Sequence, residues 1–295
     1  MLGKEAKITI LGSKSFLGRN LQEEFLKSNY SIRFISSRLD LNIKNDFSPL
    51  INDIENGLII LSGWPIHDDF KKSKLWCDAV FIFLKKFLKR KKSNYLICIG
   101  SAAELTPSTQ FNLKENDFLK GVGDYGKAKV YLLKKFLNDK EIGQNQFCWI
   151  RLFSPTGRFE SSNRLIPYVT KMALGNKNIV CNNPNVFRDY SDIEEIVHCI
   201  KYILEKRYIG IINLASGKKI MTKDLISKII SKTNSKSNLF VEELYQEEWK
   251  TASWVANIDK LKLLVPNYPK NGIDKIIEKH INLIKKNAKF KDSSF

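Results

Sequence analysis

The stretch DYGKAK sets Tyr125 and Lys129 four residues apart, which puts a phenol and an ammonium on one face of a helix. Such a pair can move a proton. A free phenol has a pKa of about 10, and a neighbouring ammonium favours its ionised form. A chain rich in lysine and tyrosine offers this spacing by chance, so position has to decide. Upstream, IGSAAEL puts Ser101 just past an apolar run. In an open parallel sheet, ligands bind outside the carboxyl ends of the strands. A hydroxyl there can hold a carbonyl oxygen while the phenol exchanges a proton with it. Glu104, close by, is either a second acid–base group or a solvated or helix-capping carboxylate.

A second constellation lies near the N-terminus. GSKSFLG (12–18) follows the apolar run KITIL and precedes the helix-like RNLQEEFLKSN. Gly12 permits a tight turn, and Gly18 lets the helix pack close to the strand. The backbone amides and the positive helix end then face a pyrophosphate. Gly12, Ser13, Lys14, Ser15, Phe16, Leu17 and Gly18 are the candidate cradle. Ser15 holds the middle place of a G-x-x-G-x-x-G pattern. That is admissible if its backbone angles are negative and its side chain turns away. Taken alone, the turn is also readable as a structural turn that needed glycine. After the second strand-like run the chain reads FISSRLD. NAD-selective sites carry an acid there for the ribose hydroxyls. Ser36, Ser37 and Arg38 suit a 2′-phosphate instead, with Lys14 approaching from the other side. This favours NADP over NAD, unless Lys14 and Arg38 are ordinary surface cations.

The elements that must position these groups alternate. KITIL (7–11), SIRFIS (31–36), GLIIL (57–61), YLICIG (95–100) and QFCWIRLF (146–153) read as strands; 19–28, 72–91 and 124–139 read as helices. This order implies an α/β fold, a doubly wound, Rossmann-like parallel sheet covered on both faces. Beyond about residue 155 the pattern changes to a loop, a helix at LIPYVTKMAL and a short strand pair, NIVC with VFRDY. A helix at 192–205, the strand GIINLA and a helix at 222–233 follow, and KFKDSSF reads as a frayed tail. The expected division is a dinucleotide-binding domain over 1–155, with 186–215 contributing elements. A smaller C-terminal α/β substrate lobe would span 156–185 and 216–295.

Composition narrows the class. The 295 residues are 43% hydrophobic and 11% aromatic, which is globular. No apolar run approaches the ~20 residues of a membrane span, and MLGKEAKITILG has no apolar signal core. The five cysteines, Cys77, Cys98, Cys148, Cys181 and Cys199, are odd in number and far apart. They read as reduced, buried thiols of a cytoplasmic protein. The formal charge of +18 is spread as lysines over helix-like segments. It reads as a solvated surface and not as a nucleic-acid patch.

Together these segments resemble the extended short-chain dehydrogenase/reductase family, the nucleotide-sugar epimerases, dehydratases and reductases. GSKSFLG matches its glycine turn without the middle glycine. GLIILSG matches the strand end that abuts the cofactor, which adds Leu61, Ser62 and Gly63. Ser101, Tyr125 and Lys129 match the catalytic trio. WIRLFSPTG, VFRDYSDIEEIV and INLASGKKIMTKDL match later segments. The resemblance implies that Lys129 stabilises the phenolate and contacts the cofactor ribose along with Tyr125. It implies that Arg188 meets a substrate diphosphate, with Ser101, Ala102, Ser154, Asn163 and Arg164 on the substrate side; many relatives carry Asn where this chain has Ser154. Ser-Ala-Ala replaces the Thr-Asp-Glu of the dehydratases, and SSR replaces the ribose acid of the NAD-bound epimerases. The expectation is therefore a 4-keto-6-deoxysugar reductase of the GDP-fucose synthase and CDP-abequose synthase type, using NADPH, in deoxysugar and surface polysaccharide (lipopolysaccharide) synthesis. Asp40 and Leu41 would then lie on the adenine side, and Trp64, Pro65 and His67 on the nicotinamide side. A homodimer through the helices at 72–91 and 124–139 is implied, with Phe87 and Leu88 at the interface. An NAD-dependent epimerase and a non-catalytic NADP-binding regulator are the alternatives.

Overall fold

The computed structural model describes residues 6–36, 50, 54–64, 69–106, 111–142, 146–242 and 253–292. Ser37, Arg38, Asp40, Leu41, Pro65 and His67 lie outside the described residues. Six parallel strands form the main sheet: β1 (Lys7–Leu11), β2 (Ser31–Ile35), β3 (Leu58–Leu61), β4 (Tyr95–Ser101), β5 (Phe147–Leu152) and β10 (Gly210–Leu214). Their order is β10-β5-β4-β3-β1-β2. It reverses at β1, which pairs with β2 on one side and β3 on the other, and a crevice at such a point binds ligands in doubly wound folds.

Alternate residues along each strand serve opposite faces, as a pleated strand requires. Leu58 and Ile60, Ile97 and Ile99, and Cys148 and Ile150 enter one core with α1 (Phe16–Phe25) and α5 (Ile193–Glu205). Ile59 and Leu61, Leu96 and Cys98, and Phe147 and Trp149 enter the other with α2 (Phe70–Arg90) and α3 (Gly123–Asn138). Burial on both faces explains why these strands read as continuous apolar runs. α1 starts earlier than the sequence pattern indicated, at Phe16, because the Ser15 hydroxyl caps it by accepting from Gly18 N. On α2, Trp76, Val80, Phe83, Leu84 and Phe87 recur at helical spacing against the sheet. Phe87 and Leu88 are therefore core residues of the chain itself, 0% and 1% exposed, and not the interface pair expected of them. Five of the six lysines of this helix, Lys71, Lys72, Lys74, Lys86 and Lys89, are exposed, and Lys85 is half-buried.

A third core packs α4 (Leu165–Leu174), α6 (Thr222–Lys232) and α8 (Ile273–Asp292) through Ile166, Val169, Ile226, Ile229, Ile276 and Ile277. Here the small strands pair differently from the sequence reading. β7 (Ile179–Cys181) pairs in parallel with β12 (Leu239–Val241), and β8 (Phe187–Arg188) pairs antiparallel with β11 (Ile220–Met221). β9 (Tyr190–Asp192) runs parallel to β6 (Ser154–Thr156). NIVC and VFRDY thus take separate partners. KFKDSSF does not fray from its start, since α8 continues through Asp292. A short helix, α7 (Asp259–Leu264), closes over β10. No helix among the described residues is long and apolar enough to cross a membrane, and all five cysteines are free and buried.

His280 of α8 is buried in this region. Its Nε2 lies 2.8 Å from Thr156 Oγ1 and 3.7 Å from the Glu160 carboxylate, with Asp192 near enough to act on it. Burial dominates and lowers its pKa to about 4, so the ring is neutral at neutral pH. Below the unfolded value of about 6.5 the unfolded chain takes up a proton that the folded chain refuses. Stability is therefore expected to fall as pH drops from about 6.5 to about 4, by up to about 3 kcal/mol from this group. Urea unfolding across that range should show a flatter pH dependence in His280→Gln; equal slopes would show that the imidazole is not the group responsible.

Candidate active site

At the end of β1 the chain turns at Gly12, whose φ is +84°. A Cβ at Gly12 would lie 2.2 Å from the Cα of Gly63, and one at Gly18 would lie 2.1 Å from the Gly12 carbonyl. Neither position admits a side chain, because backbone meets backbone there. Gly12 N and Ser13 N donate to Ile35 O, while Ser62 N and Gly63 N donate to Leu11 O. The carboxyl ends of β1, β2 and β3 are stitched together around the turn. Ser15 has φ −68° and ψ 165°, and its hydroxyl turns back into the helix as the cap, so the condition set by the missing middle glycine is met. Its cost is one amide: Gly18 N is committed to Ser15. The amides of Phe16 and Leu17 remain among those that a helix start leaves without intrahelical partners. Lys14 is exposed beside them, Leu17 is buried, and Ser36 is buried at the end of β2. A close, side-chain-free turn with helix-end amides fits a dinucleotide pyrophosphate.

Across the crevice, Ser101, Tyr125 and Lys129 come together. Ser101 ends β4 and caps the single turn Ala102–Glu104, where its hydroxyl accepts from Ala103 N at 3.2 Å. That turn docks on the start of α3. Val122 N donates to Ala103 O at 2.8 Å, and Gly126 has no Cβ because one would sit 2.3 Å from the same carbonyl. The approach places the Tyr125 phenol where the Ser101 side chain acts on it. Burial and the nearby Glu104 charge push Tyr125 up to about 12, with Ser101 acting the other way. The phenol is thus protonated at neutral pH, and the ionised form expected from Lys129 is not what this geometry favours. Lys129, one helical turn on, is buried, and burial lowers its pKa to about 8. Its Nζ donates to Ile99 O at 2.6 Å and lies 3.7 Å from the ring centroid of Trp64.

Glu104 is not solvated. It is 0% exposed, and its oxygens accept from Ser101 N (2.7 Å), Trp149 Nε1 (3.0 and 3.1 Å) and Arg151 Nε (2.8 Å). Of the readings open from sequence, the capping one is what the structure holds, as a capping box. Arg151 is the arginine of the WIRLFSPTG strand, while Trp149, two residues before it on β5, was not singled out from sequence. The one available signal was Gly100, where a Cβ would lie 2.2 Å from Trp149 Nε1 and 2.4 Å from Glu104 Oε1.

The substrate-side candidates divide. Ala102 is buried in the turn after Ser101. Arg164 stands at the start of α4, ion-paired to Glu160 Oε1 at 2.9 Å, and its charge acts on Tyr125. Asn163 beside it is exposed. Ser154 is placed by β6, its N donating to Asp189 O. Arg188 lies on β8, mostly buried, with its guanidinium 5.1 Å from the ring centroid of Trp254 and Nη1 donating to Phe187 O. Burial lowers its pKa. Next to it Asp189 is fully buried and accepts from Ser216 N, Ser216 Oγ, Gly217 N and Ala256 N. Trp254 lay outside every motif legible in the sequence.

The profile of the NAD dependent epimerase/dehydratase family matches residues 82–215. The chain is 25% identical over 261 residues to the CDP-abequose synthase of Salmonella muenchen, covering 81% of this chain and 85% of that protein. Among solved structures it resembles the Bordetella bronchiseptica enzyme WbmG in complex with NAD and UDP (TM-score 0.81, 15% identity, 96% of each chain). It also resembles the NAD complex of dTDP-glucose 4,6-dehydratase from Bacillus anthracis (TM-score 0.79, 14% identity, 96% of this chain and 97% of that one). The UDP-glucose 4-epimerase of Thermotoga maritima matches at TM-score 0.80 and 11% identity over 96% and 99%.

Removing the Glu104 charge leaves Arg151 buried beside a neutral partner. Glu104→Gln is expected to lower the unfolding free energy by about 3 kcal/mol or more. Adding Arg151→Met should recover part of that loss in the same urea titration. A variant with full stability and no activity would instead make Glu104 a reacting group.

Proposed function

We propose that this relative of the nucleotide-sugar epimerases and dehydratases reduces a keto group, at carbon 4 of a nucleotide-linked 6-deoxyhexose, with NADPH. The observation that carries the reading is the meeting of Ser101, Tyr125 and Lys129 opposite the glycine turn, with Tyr125 held as a phenol. A reduction needs a proton donor at the oxygen, and a phenol pushed up to about 12 is protonated and ready. The likeness to CDP-abequose synthase supports a sugar nucleotide as substrate.

Bound at the turn, NADPH supplies the hydride. Ser101 Oγ holds the carbonyl oxygen in place. Tyr125 gives that oxygen its proton as charge develops on it, and C=O becomes CH–OH. The Lys129 ammonium stabilises the phenolate left behind until a proton returns from water. Arg188, with Ser154, Asn163 and Arg164, takes the diphosphate and sugar side. Lys14, Ser36, Ser37 and Arg38 select the 2′-phosphate. The outer face of α2 presents Leu75 and Ile82, 59% and 54% exposed, and supports a homodimer through the α2–α3 pair. The epimerase reading is favoured by the WbmG and 4-epimerase neighbours, and it predicts NAD retained on purification.

Fluorescence titration of the purified protein is expected to show NADPH binding at least about tenfold tighter than NADH. Arg38→Asp should erase that preference by removing a charge-assisted contact and adding repulsion. Tyr125→Phe should cut turnover of a 4-keto sugar nucleotide by roughly 10²–10⁴ and leave NADPH binding close to wild type. A preference for NADH, or NAD already present, overturns the reductase in favour of the epimerase.

A further inference from the structure

Lys129 carries its charge in an unusual setting. It is 3% exposed, yet among the described residues no carboxylate forms an ion pair with it. The groups that face it can be named element by element. Cys98 of β4 and Cys77 of α2 act on it, as does Glu104 of the 102–104 turn, whose oxygens are taken by Ser101 N, Trp149 and Arg151. Tyr125 of its own helix presents a ring with its centroid 5.6 Å away. Ile99 O accepts one Nζ proton. The remaining contact is the face of Trp64, at 3.7 Å from the ammonium nitrogen.

Trp64 is itself fixed. Its ring meets the fully buried Trp76 at 4.5 Å between centroids, tilted by 65°, and stands at 87° to Tyr125 at 6.2 Å. The indole therefore forms a wall common to both members of the Tyr125–Lys129 pair. We infer that Trp64 is a positioning residue that holds the Lys129 ammonium by its ring face, fixing the cation between Ile99 O and the Tyr125 ring. The inference rests on the proposed role of Lys129 beside Tyr125. Its chemical logic is specific. A carboxylate partner would hold the ammonium and cancel its field. An aromatic face attracts a desolvated cation through its quadrupole and leaves the full unit of charge to act on the phenolate. The preceding Ser62 and Gly63, tied to Leu11 O at the glycine turn, carry Trp64 to this position. One loop thus serves both the cradle and the proton relay.

Burial already lowers Lys129 to about 8. With the ring removed and burial kept, the ammonium loses an attraction and its pKa falls further. Carbon-13 NMR of lysine Cε, with the Lys129 signal assigned by its loss in Lys129→Met, reads this in the cofactor-free protein without turnover. Trp64→Leu is expected to lower the Lys129 titration by about one pH unit. Trp64→Phe, which retains a smaller face against Trp76, is expected to lower it by less, and it serves as the test if the leucine variant does not fold. The alkaline limb of kcat against pH for the keto sugar nucleotide should shift downward in the same order. An unchanged Lys129 titration in both variants, or an upward shift, overturns the inference. If the titration moves as expected while no keto sugar is reduced, the hold on Lys129 stands and the reading of the reaction falls.

Discussion

The buried carboxylate of Glu104 is the contact on which the geometry of the site depends. A carboxylate with no exposure is tolerated only when its oxygens are met by donors. Here they are met by a backbone amide, an indole and a guanidinium. The donors come from two neighbouring strands. Ser101 N is the end of β4, Trp149 and Arg151 are the middle of β5, and Arg151 Nη1 goes on to Glu115 O at 2.7 Å. Holding them together fixes the turn at 102–104. The Ala103 carbonyl of that turn receives the start of α3. The placing of Ser101 against the start of α3 is thus set from below, by a buried network.

Lys129 is held differently from the cations on the surface. Lys85 bridges Asp139 and Glu141, and Lys232 pairs with Glu278. Such exposed pairs are screened and contribute little. Lys129 instead meets a carbonyl and a tryptophan face. Carbonyl and aromatic partners orient a cation without neutralising it. Lys129 thus keeps its charge within the fold of a chain whose formal net charge is already +18.

What could be read in advance followed from local pattern. KITIL, GLIIL and YLICIG are apolar on both faces, and only a doubly covered sheet accounts for that. Gly12 and Gly18 were legible because their spacing answers a steric demand, which the structure places at Gly63 and at the Gly12 carbonyl. The Tyr125–Lys129 face was legible because helices repeat. Elements two or three residues long were legible only in part: NIVC and VFRDY read as strands, but their partners did not show. Ile220–Met221 becomes a strand only because Phe187–Arg188 lies beside it, and no run so short carries a period. The stripe of α8 was hidden by Lys279 and His280, polar residues in a buried or half-buried row. Phe87 and Leu88 were misjudged because a lysine-rich segment looks like surface, although one face of it is not. Trp149 and Trp254 take their meaning from partners far along the chain, and nothing beside them in the sequence announced it.

The five buried thiols are distributed over all three cores. Cys77 and Cys98 lie on the α2–α3 side of the sheet, Cys148 and Cys199 on the α1–α5 side, and Cys181 in the core of the smaller lobe. A thiol closed off from solvent reacts with a reagent only when the structure around it opens, so labelling kinetics follow local or global unfolding. Each layer of this protein therefore carries its own built-in clock. If the layers open together, the five cysteines report a single rate. If the small lobe loosens alone, Cys181 runs ahead of the other four.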